Sequence, residues 1–233
     1  MTDGADTPVV PTPAATVAVV RDGDRGIEVL LLQRNGRGVF GGMWVFPGGQ
    51  VDIADLCDGG ADGTAPGDGE PVAARRAAVR EAREEAGIDL DPDGLVVHSR
   101  WLPPPEVRRR FATWFFLGAV GPDAAVAVDD AEIVDHRWIS PGDAIRLRDL
   151  GEIRLAPPTW MTLWWLDDQP TVAAAAAAAT AATRRFETRI DEARSVVMWE
   201  GDAGWASGDP EAAGARRRLW MDPAGWRAEF SAA

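Results

Sequence analysis

The chain has 233 residues, 46% of them hydrophobic and 26% charged, and a formal net charge of -13 at pH 7. These values are typical of a globular protein with one sizeable core, and the negative charge argues against a nucleic acid or an anionic membrane as a partner. Because Cys57 is the single cysteine and the sequence shows neither a signal pattern nor an apolar run of membrane-spanning length, we expect a protein of the reducing cytoplasm.

The first part of the chain predicts a tail followed by strands. Residues 1–13 are rich in Pro and Thr and poor in large apolar groups, so we expect a flexible tail. Two apolar runs, at residues 14–20 and 27–33, predict strands that are separated by a turn. A short third strand is expected at residues 44–46, and it leads into a Gly-Gly turn where the backbone can approach a ligand closely.

Residues 50–70 carry six acidic side chains among several glycines, without any periodicity. This composition predicts a loop, and a loop of that length inside a compact domain is commonly functional or disordered. The acids lack the fixed spacing and the closing Glu of a calcium-binding loop, so we expect a surface insert.

Residues 71–86 predict a helix that carries three carboxylates on one face. Because side chains three and four positions apart are neighbours on a helix, Glu81 lies beside both Glu84 and Glu85. A cation relieves their mutual repulsion, and Mg²⁺ and Mn²⁺ prefer oxygen ligands. Arg80, one turn before Glu84, is placed to hold that side chain in one rotamer. The alternative interpretation is a solvated helix face whose charges pair only with one another.

The same helix carries a small residue at every fourth position, namely Ala74, Ala78, Ala82 and Ala86. Such a stripe allows the helix to lie close against a sheet. We expect the helix to end at Gly87, where a left-handed backbone conformation costs little.

Downstream of this helix, three strands are expected at residues 95–102, 111–120 and 133–139. Three consecutive arginines, Arg108, Arg109 and Arg110, precede the second of these strands. They form either a solvated turn or a phosphate clamp, since a guanidinium group donates paired hydrogen bonds to an oxyanion.

Helices are expected next. Ser140 followed by Pro141 is a strong helix start, because the hydroxyl caps the first turn and Pro suits its first position. A second helix is expected over residues 158–167. An alanine-rich helix is expected over residues 170–184, and the helix propensity of alanine accounts for its composition.

Residues 186–233 differ in pattern from the preceding part of the chain. Strand-like pieces at residues 195–199 and 217–221 are separated by Gly-Asp turns. We expect a small β appendage that packs on the core. The alternative is a lid or a dimerisation element, because aromatic residues are enriched in interfaces, and the protein would then be a homodimer.

Two stretches together resemble the Nudix box of the Nudix hydrolase superfamily: Gly48-Gly49 and Arg80-Glu81-Ala82-Arg83-Glu84-Glu85-Ala86-Gly87-Ile88. That box runs Gly, five residues, Glu, seven residues, then Arg-Glu-apolar-x-Glu-Glu-x-Gly-apolar. The second half matches at every specified position, with the small Ala82 in the apolar slot. The first half departs, because about twenty residues separate Gly49 from Glu70, which is at best a displaced stand-in for the first Glu.

The resemblance covers roughly residues 14–168 and implies an α/β/α sandwich with a mixed sheet. We expect this domain to span residues 14–185, with the insert at 50–70, and to be followed by a β-rich extension at 186–233. The resemblance also implies metal-assisted hydrolysis of a nucleoside diphosphate linked to another moiety. By matching position, the metal-binding carboxylates are Glu81, Glu84 and Glu85, the residue that orients Glu84 is Arg80, and the residues that shape the adjoining loop are Gly48 and Gly49. The general base stays open between Glu84 and Glu85, with Glu132 and Glu106 as weaker candidates.

The sequence upstream of the box is similar to a signature of coenzyme A diphosphatases, on the residues Leu31-Leu32-Gln33-Arg34 and Gly42-x-Trp44-x-Phe46-Pro47-Gly48-Gly49-x-x-Asp52. One branch of these proteins also has a long insert in the box and an arginine-rich stretch before an aromatic strand. This resemblance implies coenzyme A or an acyl-coenzyme A as substrate. The substrate-binding residues are then expected to be Arg34, Gly48, Gly49, Arg109 and Arg110.

Other functions stay open at this point. ADP-ribose, NADH and other dinucleotides are alternative substrates within the same family. The broken first half of the box favours a second class, a catalytically inactive regulatory module with the same fold. Isopentenyl diphosphate isomerase chemistry needs an active-site cysteine, and Cys57 is poorly placed for that role within the insert.

Overall fold

The strands that the structure describes, eleven in number, form one mixed sheet. The computed structural model describes residues 10–56, 72–128 and 131–232. The expectations for Cys57, for Glu70, for Pro71 and for most of the acidic insert therefore lie outside the described residues.

The strands are β1 (Thr12–Gly23), β2 (Gly26–Arg34), β3 (Trp44–Val45), β4 (Gly48–Gln50), β5 (Val96–Leu102), β6 (Phe111–Ala119), β7 (Ile133–Ile139), β8 (Arg184–Asp191), β9 (Val196–Trp199), β10 (Arg216–Asp222) and β11 (Gly225–Ser231). Their order in the sheet is β11-β10-β9-β8-β5-β6-β1-β2-β3, with β4 paired to β1 and β7 paired to β2. The pairs β1·β6 and β5·β8 are parallel, and the other pairs are antiparallel.

The α-helices are α1 (Ile53–Leu56), α2 (Val72–Ala86), α3 (Pro141–Asp149), α4 (Pro157–Asp167) and α5 (Val172–Ala181), and a 3-10 helix spans Pro92–Gly94. None of the helices in the described ranges is long and apolar enough to cross a membrane.

Helices cover both faces of the sheet, as expected for an α/β/α sandwich. Successive strand residues point to opposite faces, so Val17 and Val19 of β1 pack in one core cluster with the alanines of α2. Ala18 and Val20 of the same strand pack in the other cluster, which contains Leu163 of α4. The predicted fold class is confirmed.

The alanine stripe of α2 is fully buried, at residues 74, 78, 82 and 86. The helix ends at Gly87, whose φ of 64° is left-handed. Its N–H donates to Arg83 O at 3.0 Å, and the N–H of Ile88 donates to Ala82 O at 3.1 Å. The bond from Gly87 to Arg83 O is the one that closes an αL-type helix end, so the predictions for both the stripe and the helix terminus are confirmed.

Several predicted boundaries are wrong because distant pairing overrides local composition. The last residues of the predicted tail, 12 and 13, belong to β1, where they pair with β6. Gly48 and Gly49 form strand β4 against β1 instead of a turn. Residues 53–56 of the predicted loop form α1, and the alanine-rich helix ends at residue 181 because β8 begins three residues later.

The C-terminal strands are present, and they continue the main sheet. β8 pairs in parallel with β5, which aligns Trp101 with Phe186. β9, β10 and β11 follow β8 as an antiparallel series. The proposed boundary between residues 185 and 186 therefore falls inside a strand, and neither β8 nor β11 was expected from the sequence.

A buried ion pair stabilises the C-terminal strands. Arg218 donates from Nε and Nη2 to the two carboxylate oxygens of Asp202, at 2.8 and 2.6 Å, and from Nη1 to Pro210 O. Burial alone would raise the pKa of Asp202, but the hydrogen bonds from Arg218 and from two backbone N–H groups outweigh it, so the pKa is lowered. The pair therefore adds stability above about pH 4, and this contribution is lost as the pH falls through the lowered pKa.

We predict that Asp202→Ala lowers the free energy of unfolding by about 3–5 kcal/mol, because it leaves the guanidinium of Arg218 buried without its counter-charge. Urea denaturation followed by circular dichroism measures the change. Arg146→Ala is the control, since its pair with Asp143 is solvent-exposed and should contribute less than about 1 kcal/mol. Equal losses in the two variants would contradict the prediction.

Candidate active site

Arg80 lies at the centre of an ion-pair network where α2 meets β4. Its Nη2 and Nε donate to the two carboxylate oxygens of Asp55, at 3.0 and 3.2 Å. Its Nη1 donates to Glu81 Oε1 at 2.8 Å and to Glu84 Oε2 at 3.0 Å. The predicted contact between Arg80 and Glu84 is therefore present. Its hydrogen bond with Asp55 raises the pKa of Arg80 more than burial lowers it, so the guanidinium is firmly charged.

Asp55 is a member of this ion-pair network that the sequence did not reveal. It is only 5% exposed, and it lies in the single turn of α1, where its Oδ2 also accepts the N–H of Asp52 at 2.8 Å. The available signal was its position one helical turn after Asp52, flanked by apolar Ile53 and Leu56. The acids and glycines that follow Asp55 gave the whole segment the composition of a loop, so the short helix was not predicted.

Glu85 is held from two other directions. Its Oε2 accepts the N–H of Gly48 at 2.9 Å, and its Oε1 accepts from Arg34 Nη1 at 3.2 Å. Arg34 also pairs with Glu132. Arg34, which was expected to bind substrate, thus links the box carboxylate Glu85 to Glu132, one of the weaker candidates for the general base.

The two glycines permit close contacts that a side chain would prevent. A Cβ on Gly49 would lie 2.6 Å from Glu81 Cδ, and a Cβ on Gly48 would lie 2.6 Å from the backbone oxygen of Ala15. Glu81 itself is largely buried, and this burial raises the pKa of its carboxyl despite the hydrogen bond from Arg80.

These residues border a cavity of about 700 Å³. Among the predicted site residues, those that line it are Arg34, Gly48, Gly49, Glu81, Glu85 and Arg109, together with Glu132. Arg80, Glu84, Glu106 and Arg110 are not among the lining residues. Glu84 has a side chain that is 59% exposed, and Arg110 donates from Nε to Pro103 O at 2.6 Å, which braces the loop that carries Arg109.

The domain model described as NUDIX domain matches residues 11–161 of the chain. The chain belongs to the Nudix family. The matched segment contains both glycines of β4 and all three carboxylates of α2. The family-level resemblance seen in the sequence is therefore confirmed.

Known proteins agree with this assignment. Acyl-coenzyme A diphosphatase NUDT19 of Homo sapiens is 39% identical over 77 residues, which are 31% of this chain and 20% of that protein. The match thus spans only a fifth of its length. The crystal structure of a NUDIX hydrolase from Alicyclobacillus acidocaldarius superimposes with a TM-score of 0.61 at 24% identity, covering 73% of this chain and 97% of that one. This second likeness concerns the fold.

Nudix enzymes generally use divalent metal ions, and the residues of this site fit such an ion in their chemistry. Within the described ranges, no group of three or more His, Cys, Asp or Glu side chains is arranged to hold a metal. The carboxylates of Glu81, Glu84 and Glu85 are nevertheless hard oxygen donors from one helix face. A cation beside Glu81 would also favour its ionised form, which burial opposes.

We predict that Gly49→Ala displaces the carboxylate of Glu81, because the new methyl group meets the end of that side chain. Affinity for Mn²⁺, measured by electron paramagnetic resonance titration, should fall at least about tenfold, while the melting temperature changes little.

Gly48→Ala and Gly36→Ala serve as matched comparisons. A methyl group at Gly48 meets backbone, so the melting temperature should fall clearly. A methyl group at Gly36 meets nothing within 4 Å, and neither property should change. Wild-type Mn²⁺ affinity in Gly49→Ala would show that Glu81 does not bind the ion.

Proposed function

We propose that this Nudix hydrolase cleaves the diphosphate bond of a nucleoside diphosphate derivative in a reaction that depends on Mg²⁺ or Mn²⁺. We further propose coenzyme A or an acyl-coenzyme A as the substrate. The observation that carries the proposal is the cluster of box carboxylates at one end of a cavity large enough for such a ligand. The sequence signature before the box and the partial match to a human acyl-coenzyme A diphosphatase support the substrate class.

The charge distribution around the cavity suits a diphosphate. Arg34, Arg37 and Arg109 line it, and guanidinium groups bind phosphate oxygens through paired hydrogen bonds. These cations oppose the negative charge that makes a diphosphate a poor electrophile. A bound divalent ion held by Glu81, Glu84 and Glu85 would add further charge neutralisation and polarise phosphoryl oxygens.

The chain's own carboxylates supply the proton acceptor. Glu85 and Glu132 both line the cavity, and Arg34 fixes the position of each. Glu84, the remaining candidate on α2, is held by Arg80. Each of these carboxylates is positioned by an arginine before substrate arrives, which reduces the reorganisation that proton transfer needs.

A turnover screen tests the proposal. The purified chain is incubated with Mg²⁺ or Mn²⁺ and with coenzyme A, acyl-coenzyme A, ADP-ribose, NADH and nucleoside triphosphates, and the products are identified. Release of 3′,5′-ADP and a phosphopantetheine is the expected result. Preferred cleavage of ADP-ribose or NADH would identify the protein as a dinucleotide pyrophosphatase. Metal binding without turnover on any substrate would favour the inactive regulatory module.

We predict that Glu85→Gln lowers kcat by about 10²–10⁴-fold, because the neutral amide can neither accept a proton nor hold a metal ion as a carboxylate does. Circular dichroism should show an unchanged fold. Glu106→Gln is the matched control, since Glu106 is exposed and is not among the residues that line the cavity. Retained activity in Glu85→Gln would remove this residue from the catalytic machinery.

Two further expectations belong to the same proposal. We propose that the protein acts in the cytoplasm on a small-molecule nucleotide, with neither nucleic acid nor membrane as a partner. We also propose a homodimer as the assembly to be tested, by sedimentation of the purified chain.

A further inference from the structure

The cavity continues well beyond the carboxylates and reaches the opposite face of the sheet. Glu81 and Glu85 come from α2 on one face, whereas Trp101, Phe115 and Val197 belong to the core cluster of the other face. Residues 14–16 of β1 also line the cavity. The lining of one cavity therefore includes residues from both faces of the sheet.

One part of the lining is an apolar arm, which we define by the residues Trp101, Phe115, Pro157, Thr188, Ile190 and Val197. Its outer wall comes from the C-terminal strands. Ile190 of β8 and Val197 of β9 are cross-strand partners, and Thr188, two positions before Ile190, points to the same face of β8. The C-terminal strands thus contribute directly to the cavity that contains the box carboxylates.

Polar atoms in the apolar arm are already used within the protein. The indole N–H of Trp101 donates to Ser99 Oγ at 3.1 Å, and the hydroxyl of Thr188 donates to Phe186 O at 3.3 Å. A nucleobase needs donors and acceptors along its edge, whereas a hydrocarbon chain needs only apolar contact. The arm therefore suits a hydrocarbon better than a base. Arg34, in contrast, pairs with the carboxylates Glu85 and Glu132.

Exposed apolar side chains also border this cavity. Ile190 is 39% exposed, and Phe40 and Val39, which line the same cavity, are 38% and 50% exposed. Apolar surface left in water beside a binding cavity indicates a ligand that covers it. An apolar ligand group in the arm would remove the exposed surface of Ile190 from water while its diphosphate remains beside the carboxylates.

We infer that β8 and β9 complete the substrate site, and that their Ile190–Val197 face binds a hydrocarbon chain attached to the non-nucleotide side of the diphosphate. The inference rests on the proposed function and deepens it: acylated substrates are preferred to free coenzyme A, and the apolar arm sets the preferred chain length. Ile190 is then a specificity-determining residue that contacts the chain and takes no part in bond cleavage.

The first measurement compares coenzyme A with its acetyl, hexanoyl and decanoyl thioesters, each below its micelle-forming concentration. We expect kcat/KM to rise by up to about fourfold for each methylene that becomes buried, until the arm is full. Dissociation constants of the same ligands are measured by calorimetry on Glu85→Gln in the presence of Mg²⁺. The arm is thereby tested through binding as well as through turnover.

The second measurement uses Ile190→Glu, which places a charge in the arm at a partly exposed position and should leave the fold intact. We expect kcat/KM and affinity for the decanoyl thioester to fall at least tenfold, while the values for free coenzyme A stay within about twofold. Leu150→Glu is the matched control, because Leu150 is an exposed leucine that is not among the lining residues, and it should change neither substrate.

The outcomes separate the two proposals. Absence of turnover on every substrate, in wild-type protein with metal, overturns the proposed function. The dependence of the dissociation constant on chain length then tests by itself whether the apolar arm binds a hydrocarbon chain. Turnover or binding that is independent of chain length overturns the proposal that the apolar arm binds a hydrocarbon chain. Equal losses on free and acylated substrates in Ile190→Glu also overturn it, because β8 would then contact the part that all the substrates share.

Discussion

The hydrogen bonds and ion pairs of the Arg80 guanidinium are the interactions on which the arrangement of the site depends. The guanidinium joins three separate pieces of chain: the end of β4 through Gln50 O, α1 through Asp55, and the acidic face of α2. Because arginine stays charged in proteins, its neighbours must supply negative charge, and α2 supplies it at adjacent positions. Carboxylates that would otherwise repel one another are therefore arranged around a fixed cation before any ligand binds.

Local patterns predicted the parts of the fold that local forces determine. The alanine stripe, the left-handed Gly87 and the carboxylate face of α2 are all properties of one helix, so spacing alone revealed them. The cap at Ser140 was likewise predicted and is present, because its hydroxyl accepts the N–H of Asp143 only three residues away. Helix spacing also predicted the contact between Arg80 and Glu84, which is present.

Other features depend on contacts between distant residues, and the sequence did not predict them. Gly48 and Gly49 were expected in a turn, yet pairing with β1, over thirty residues earlier, makes them a strand. Asp55 was missed because its importance comes from Arg80, which is 25 residues away. The pairing of β8 was not predicted for the same reason. Its partner β5 lies more than eighty residues earlier in the chain, and no local sequence pattern indicates that the two strands pair.

The parallel pairing of β8 with β5 has a consequence for folding during synthesis. The ribosome releases residues 96–102 long before residues 184–191, so one edge of β5 stays unpaired while the intervening helices emerge. An unpaired strand edge with apolar side chains such as Trp101 is a site for association with other chains. The nascent protein thus has an open sheet edge and an unfinished cavity until its last strands arrive, and its yield should depend on how quickly β8 docks after release.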